Sequence, residues 1–366
     1  MSMSMSIYNM PWMLVKNRVR GKGGREIDKF RGVEPPIDDD SGSEAWIGSV
    51  TCANNATEDN HIGCAEVALP DSRRMYLFEA IDLAPEEILG ETHMKLHGKN
   101  LGVLIKYLDA QFQYMLQAHP TREFAKEMWN SDFGKEESWY VIGVRDDVPE
   151  PPYFILGFKE GVTREKYWEA IKRGDIKELE GMCHKFPVQV GDAGFVGGGV
   201  PHALGQGCLV IEVQEPSDIT VVPILQETMK SRWKTYRPTD DEETYNKKML
   251  GSFVYDGCSY EEAIKRYMIP KKEIRSGDWG IENWIIGPEQ TSYFSFSQAD
   301  IKGKMSVRDT GFPQVAIVLK GEGEFFYDGG SVKIRQADEI FLPYRIPNAV
   351  IEGNVSVVFC HPEGAR

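Results

Sequence analysis

From Leu101 onward the apolar residues fall in short runs, at 101–107, 113–116, 139–144 and 153–158. Each is too short for a stable helix and rich in β-branched and aromatic side chains, which suit a pleated surface, so the pattern predicts strands. Strand text returns almost unbroken from Trp284 to Phe359. Residues 1–60 read as irregular, with loops at 21–24 and 35–40 and one short strand at 43–48. Helical text interrupts the strands in three places. Pro85 opens a stretch running to Gly98. Thr163 stands as N-cap of a helix reaching Arg173, and a second short helix is expected over 175–183. Residues 240–268 are helical in character, with acidic Asp240, Asp241, Glu242 and Glu243 suiting a helix start and Ser259-x-x-Glu262 opening the next helix.

One internal comparison organises these elements. Gly191-Asp192 is followed, ten residues after the aspartate, by His202 in Val200-Pro201-His202-Ala203-Leu204. Ala337-Asp338 is followed, again after ten residues, by Asn348 in Ile346-Pro347-Asn348-Ala349-Val350. The same strand–turn–strand unit is used twice, once with an imidazole and once with an amide. Two β-barrels are expected, one bearing a metal and one not.

At 366 residues the chain exceeds what one hydrophobic core usually serves. A net charge of −14 repels polyanions, so nucleic acid is not an expected partner; Lys16 to Arg25 is basic but glycine-rich and reads as a loop. No apolar run approaches the ~18 residues a spanning helix needs, and no membrane partner is expected. The Met-Ser repeat at 1–6 reads as a disordered, tag-like start rather than a signal peptide. Cys52, Cys64, Cys183, Cys208, Cys258 and Cys360 show no tight pairs, which predicts reduced, buried thiols and a cytoplasmic location.

Candidate chemistry follows from side-chain alternation. In a strand, Gln117 and His119 share one face, and Lys135, Glu137 and Trp139 share another. His202 comes from a third segment after a glycine-rich turn. Singly, each is ordinary: a lone histidine is more often a satisfied core or surface group. Together, two imidazoles, a carboxylate and an amide oxygen form a set that can hold a catalytic divalent metal and leave a position open. His61, His93, His97, His184 and His361 lack such partners and are expected to be structural or exposed.

These motifs resemble the type I mannose-6-phosphate isomerases of the cupin superfamily. The resemblance spans roughly residues 40–220 and rests on Ser43-Glu44-Ala45-Trp46, Lys106-Tyr107-Leu108-Asp109-Ala110, Gln117-Ala118-His119-Pro120, Gly134-Lys135-Glu136-Glu137-Ser138-Trp139-Tyr140, Gly199-Val200-Pro201-His202 and Ile211-Glu212-Val213 with Ser217-Asp218. It implies a mainly β fold of two cupin (jelly-roll β-barrel) domains with small helical insertions. The expected layout is an irregular segment at 1–40 packing on the barrels, a metal-binding cupin at 41–225 with a helical insertion near 160–184, a helical linker at 226–279, and a second, metal-free cupin at 280–366. It places the zinc ligands on Gln117, His119, Glu137 and His202; another divalent transition metal would suit the same set. Glu212 is implied as catalytic base and Lys135 as the cation beside the developing enediolate. Trp46, Trp139 and Lys106 are candidates to meet the substrate, although a tryptophan is often core and Lys106 reads more readily as a surface residue. The implied activity is conversion of mannose 6-phosphate or a related sugar to the ketose, by a monomer or weak homodimer whose partner is a small sugar or sugar phosphate.

The departure is at Val222, where the family carries a catalytic arginine ten residues after the Glu212 position. Valine donates no hydrogen bond; Arg232 and Arg237 are the nearby guanidinium groups that could substitute. A second reading therefore stands beside the isomerase: a metal-containing sugar or sugar-phosphate binding protein without turnover. An iron-dependent cupin oxygenase is disfavoured by the glutamine ligand and the lack of a third histidine.

Overall fold

The computed structural model describes residues 7–53, 60–69, 73–232 and 239–365. The Met-Ser start at 1–6 and Arg237 lie outside the described residues. The chain divides into two compact units that do not follow the expected linear boundaries. One comprises Met1–Asp109, Leu209–Pro216 and Pro270–Arg366, and the other Ala110–Cys208 and Ser217–Ile269. The expected 41–225 segment is thus shared between them.

The first unit is built on a ten-stranded antiparallel sheet. Its centre is Phe294–Ser306 paired with Val350–Pro362, which in turn pairs with Gln314–Tyr327. Alternate residues of these strands, among them Ala299, Ile301, Ala316, Val318, Val357 and Phe359, turn into one apolar core. The N-terminal segment joins the sheet directly. The strand Trp12–Leu14 pairs with Glu339–Leu342, setting Trp12 opposite Phe341. Arg31, at the end of the helix Arg25–Phe30, closes on Glu339 at 2.6 Å with both side chains at most 3% exposed. Burial pushes the Glu339 carboxyl above its usual range, and the Arg31 charge opposes that shift. At the other end of the helix the Asp109 carboxylate accepts from the Gly24 and Glu26 amides, both at 2.9 Å. Asp109 ends the strand Leu104–Asp109, which pairs with Glu44–Ile47 on one side and Cys208–Gln214 on the other.

The strand Trp12–Leu14 and the helix Arg25–Phe30 correct the reading of residues 1–60 as irregular. A three-residue strand and a six-residue helix are too short to show a period, and the strand's partner lies far along the chain. The cysteine expectation is corrected too. Cys52 and Cys64 form a disulfide, while Cys183, Cys208, Cys258 and Cys360 are free and buried. A spacing of 12 gives no sign of it; chain folding brings the two Cα atoms to 5.3 Å.

The second unit holds a three-stranded sheet in the order His202–Leu204, Tyr153–Phe158, Cys183–Pro187, and the pair Glu137–Val144 with Ala193–Val196. The helix Arg164–Arg173 is capped as the sequence suggests: the Thr163 hydroxyl accepts from the Lys166 amide. Asp241 and Ser259 cap Glu242–Gly251 and Tyr260–Tyr267 in the same way. Tyr167, Ala170 and Ile171 from the capped helix pack on Ile155 and Phe158 of the sheet. The expected strand at 113–116 does not form. Instead Gln117 and Ala118 make isolated bridges to His202 and Val221.

The repeated turn is real at the atomic level. Asp192 Oδ2 accepts from the Gln189 amide, and Asp338 Oδ2 accepts from the Arg335 amide, both at 2.9 Å. The two copies then diverge. His202 is buried, whereas Asn348 is exposed and donates to Asp328 Oδ1 at 2.7 Å.

Replacing Arg31 by Met would leave Glu339 buried without its counter-charge. Urea unfolding of this variant is expected to show a loss of about 3–5 kcal/mol, the usual result of orphaning one partner of a buried pair. A change below ~1 kcal/mol would mean that the pair does not anchor the N-terminal segment.

Candidate metal centre

The second unit gathers three ligand-type side chains from separate segments. His119 follows the bridge at Gln117 and Ala118, Glu137 opens the strand Glu137–Val144, and His202 opens His202–Leu204. Reciprocal amide–carbonyl bonds between Gln117 and His202, at 2.8 and 2.9 Å, hold two of these segments side by side. The glycine turn before His202 is tied to the same place, because the Gly199 amide donates to the His119 carbonyl at 2.7 Å. Gly199 has φ +83°, a conformation that glycine adopts without strain. The helix Arg122–Trp129, unforeseen in the sequence, spans much of the distance between His119 and Glu137 along the chain.

Ligand-type atoms of His119, Glu137 and His202 lie within 4.8 Å of one another, and all three residues are buried. Hydrogen bonds set the tautomers. His119 Nδ1 donates to the Ile219 carbonyl at 2.9 Å, and His202 Nδ1 donates to the Val200 carbonyl at 2.8 Å. Each Nε2 therefore carries a lone pair, and the two nitrogens face each other at 3.2 Å. Burial pushes the His119 imidazole down to about 3, with Lys135 adding to the shift, and burial lowers His202 as well; both rings stay neutral. Burial alone would raise Glu137, but the surrounding imidazoles and the Lys135 ammonium hold it well below the usual carboxylate range.

This donor set fits a divalent metal. Both Glu137 oxygens are buried without a hydrogen-bond donor, although His119 Nε2 lies 3.0 Å from Oε2 and His202 Nε2 lies 3.3 Å from Oε1. Lone pairs and a carboxylate crowded together in a dry interior repel one another unless a cation joins them. Two imidazoles and a carboxylate are the ligand types zinc accepts. The Gln117 amide lies 3.2 Å from His202 Nε2, and rotating the amide exchanges its nitrogen for its oxygen. The Lys135 ammonium stands at the edge of the set, 3.0 Å from His119 Nε2 and 3.5 Å from Glu137 Oε2. Trp139 packs edge-on against the His202 ring at 5.5 Å and against Phe154. It is 1% exposed, so its visible role is to wall an imidazole.

A second charged cluster lies in the first unit. Lys106 Nζ pairs with Glu212 Oε2 at 2.8 Å and donates to Gln214 Oε1 at 2.6 Å. It also sits 4.9 Å from the Trp46 ring centre, and Trp46 donates its indole N–H to Glu44. Lys106 is 3% exposed, which corrects its reading as a surface residue. Strand pairing explains the burial, because Lys106 lies between Trp46 and Glu212 in the register of three strands. Gln214 was missed in the sequence. The available signal was its position two residues after Glu212, on the same strand face. Val222 is half-buried and Arg232 is exposed.

The chain as a whole is similar to several known proteins. A family model for the cupin domain of mannose-6-phosphate isomerase matches residues 287–362. The curated "Probable mannose-6-phosphate isomerase GmuF" of Bacillus subtilis is 28% identical over 283 residues, covering 72% of this chain and 76% of the relative. The crystal structure of the mannose 6-phosphate isomerase from Bacillus subtilis aligns with a TM-score of 0.74 at 21% identity, over 96% of this chain and 99% of that one. A zinc-bound mannose 6-phosphate isomerase aligns with a TM-score of 0.71 at 14% identity, over 96% and 99%. With the family match, these likenesses establish the fold as mainly β and cupin.

Nitrogen NMR of the histidines is expected to show His119 and His202 as Nδ1–H tautomers at neutral pH. Protonation of Nε2 on either ring would contradict the ligand geometry. Glu137→Gln is expected to reduce metal retained through dialysis from near-stoichiometric to a small fraction, as read by elemental analysis.

Proposed function

We propose that this chain, which is similar to the mannose-6-phosphate isomerases in sequence and fold, is a type I member of that family and a metal-dependent aldose–ketose isomerase interconverting mannose 6-phosphate and fructose 6-phosphate. The observation that carries the reading is the buried His119–Glu137–His202 set, with two inward lone pairs and a carboxylate lacking any hydrogen-bond donor. Zinc is the metal that best suits it, with Gln117 as the fourth protein ligand. When bound, the metal supplies a Lewis acid that polarises the sugar oxygens.

The remaining work falls to the chain's own side chains. Isomerisation moves a proton between C2 and C1 through an enediol, which requires a carboxylate or comparable base. Glu212 is assigned that role, with Lys106 and Gln214 positioning it and Lys106 bringing positive charge to the anionic substrate. Lys135 neutralises charge that develops on the enediolate oxygen, a task suited to an ammonium held at 3.5 Å from Glu137. The Nδ1 hydrogen bonds of His119 and His202 keep both rings oriented and neutral. Trp46 and Trp139 are assigned to shape the sugar-binding surroundings by holding Lys106 and His202 in place.

Val222 favours one alternative, a sugar-phosphate binding protein without turnover, because the family's arginine is missing there. Loss of one such donor costs about 10²–10³ in rate, which slows an isomerase without abolishing it.

A coupled assay of zinc-loaded protein is expected to show mannose 6-phosphate turnover that disappears in His119→Ala. Glu212→Gln is expected to lower kcat by about 10²–10⁴ while the metal stays bound, as befits loss of a general base. Absence of turnover at full metal stoichiometry would refute the isomerase and leave the binding protein.

A further inference from the structure

The Cys52–Cys64 disulfide belongs to none of the chemistry above, yet it borders the surroundings of Trp46. Cys52 is exposed and Cys64 is buried. The residues beside the two sulfurs reach the indole. Gly63, which precedes Cys64, lies so close that a Cβ there would stand 2.7 Å from Trp46 Cε3. Ala53, which follows Cys52, is buried in one apolar cluster with Trp46 and Leu104, with Ile62 packed against it. The Ala53 amide donates to the Ile62 carbonyl at 2.8 Å and the Ala65 amide to the Ser49 carbonyl at 2.7 Å, so among the described residues the disulfide reinforces two backbone bonds between these segments. The indole also carries Lys106 at 4.9 Å, and Lys106 holds Glu212. The four other cysteines are buried and free, leaving Cys52 as the exposed cysteine among the described residues.

We propose that Cys52–Cys64 is a thiol-exchange site, and that its redox state sets the position of Lys106 and Glu212 through Trp46. An external thiolate attacks Sγ of Cys52, the exposed partner, and the Cys52–Cys64 bond breaks as Cys64 leaves as a thiolate and takes a proton. A second thiol then attacks the mixed disulfide on its external sulfur and releases Cys52 as a thiol. The external pair becomes a disulfide, and two electrons and two protons enter the protein. A low-molecular-weight thiol or a dithiol protein supplies this chemistry. In the oxidised form Ala53 and Gly63 are clamped against the indole, and Lys106 stays buried against Glu212. In the reduced form backbone hydrogen bonds hold that clamp without the covalent link, and the cluster opens more often. The functional consequence rests on the role proposed for Glu212 and Lys106, whereas the structural link does not.

The test compares full-length, zinc-loaded protein after air oxidation and after dithiothreitol. Alkylation and peptide mapping read the Cys52–Cys64 link, and labelling of Lys106 by an amine-acetylating reagent reads the opening of the cluster. Reduction is expected to raise the Lys106 labelling rate by about tenfold and to lower kcat/KM by a similar factor, with zinc content unchanged. Cys52→Ala is expected to match the reduced wild type and to ignore further dithiothreitol. Six free thiols in the oxidised protein would overturn the proposal, as would unchanged Lys106 labelling on reduction of an intact link. A Cys52→Ala protein that still responds to dithiothreitol would overturn it too. Lys106 labelling needs no turnover, so an absence of isomerase activity leaves this test intact.

Discussion

A carboxylate with both oxygens sealed from water has to be met by positive charge, and Glu137 imposes that demand on the second unit. The neighbouring backbone is arranged to answer it. Reciprocal bonds between Gln117 and His202 bring two ligand segments together, and the Gly199 amide closes the turn onto His119. The Ile219 and Val200 carbonyls take the outer ring protons and aim the inner lone pairs. Lys135 alone supplies one charge, whereas a divalent metal also satisfies the two imidazoles.

The same economy appears in the first unit, where buried charge is paired rather than avoided. Lys106 stands between Glu212, Gln214 and Trp46, so its ammonium has hydrogen-bonding and cation–π partners in place of water. Arg31 and Glu339 do for the N-terminal segment what a larger apolar contact would otherwise have to do. Such pairs contribute little net stability compared with apolar replacements, but they punish misplacement, which suits segments that have to arrive in one register.

Comparison of the two Asp-led turns shows how a shared local structure hosts different chemistry. Asp192 and Asp338 close the same backbone turn, yet one leads to buried His202 and the other to exposed Asn348. The apolar core of the first unit is built from residues such as Ile301, Val318 and Val357.

By itself the sequence determined the strand-rich character, the capped helices, the doubled turn and the ligand types. Each of these depends on neighbours within about ten positions, where alternation and capping act directly. Tertiary structure decided the rest. The strand Trp12–Leu14 exists because Glu339–Leu342 accepts it, and no local pattern announces that pairing. Lys106 reads as a surface lysine until two flanking strands bury it against Glu212. Cys52 and Cys64 look unrelated until chain folding brings their Cα atoms to 5.3 Å. The carbonyls that orient His119 and His202 carry no side-chain identity at all, so only their placement in space could reveal them. Local order is written in adjacent residues, whereas burial and pairing belong to segments that meet only after the chain has folded.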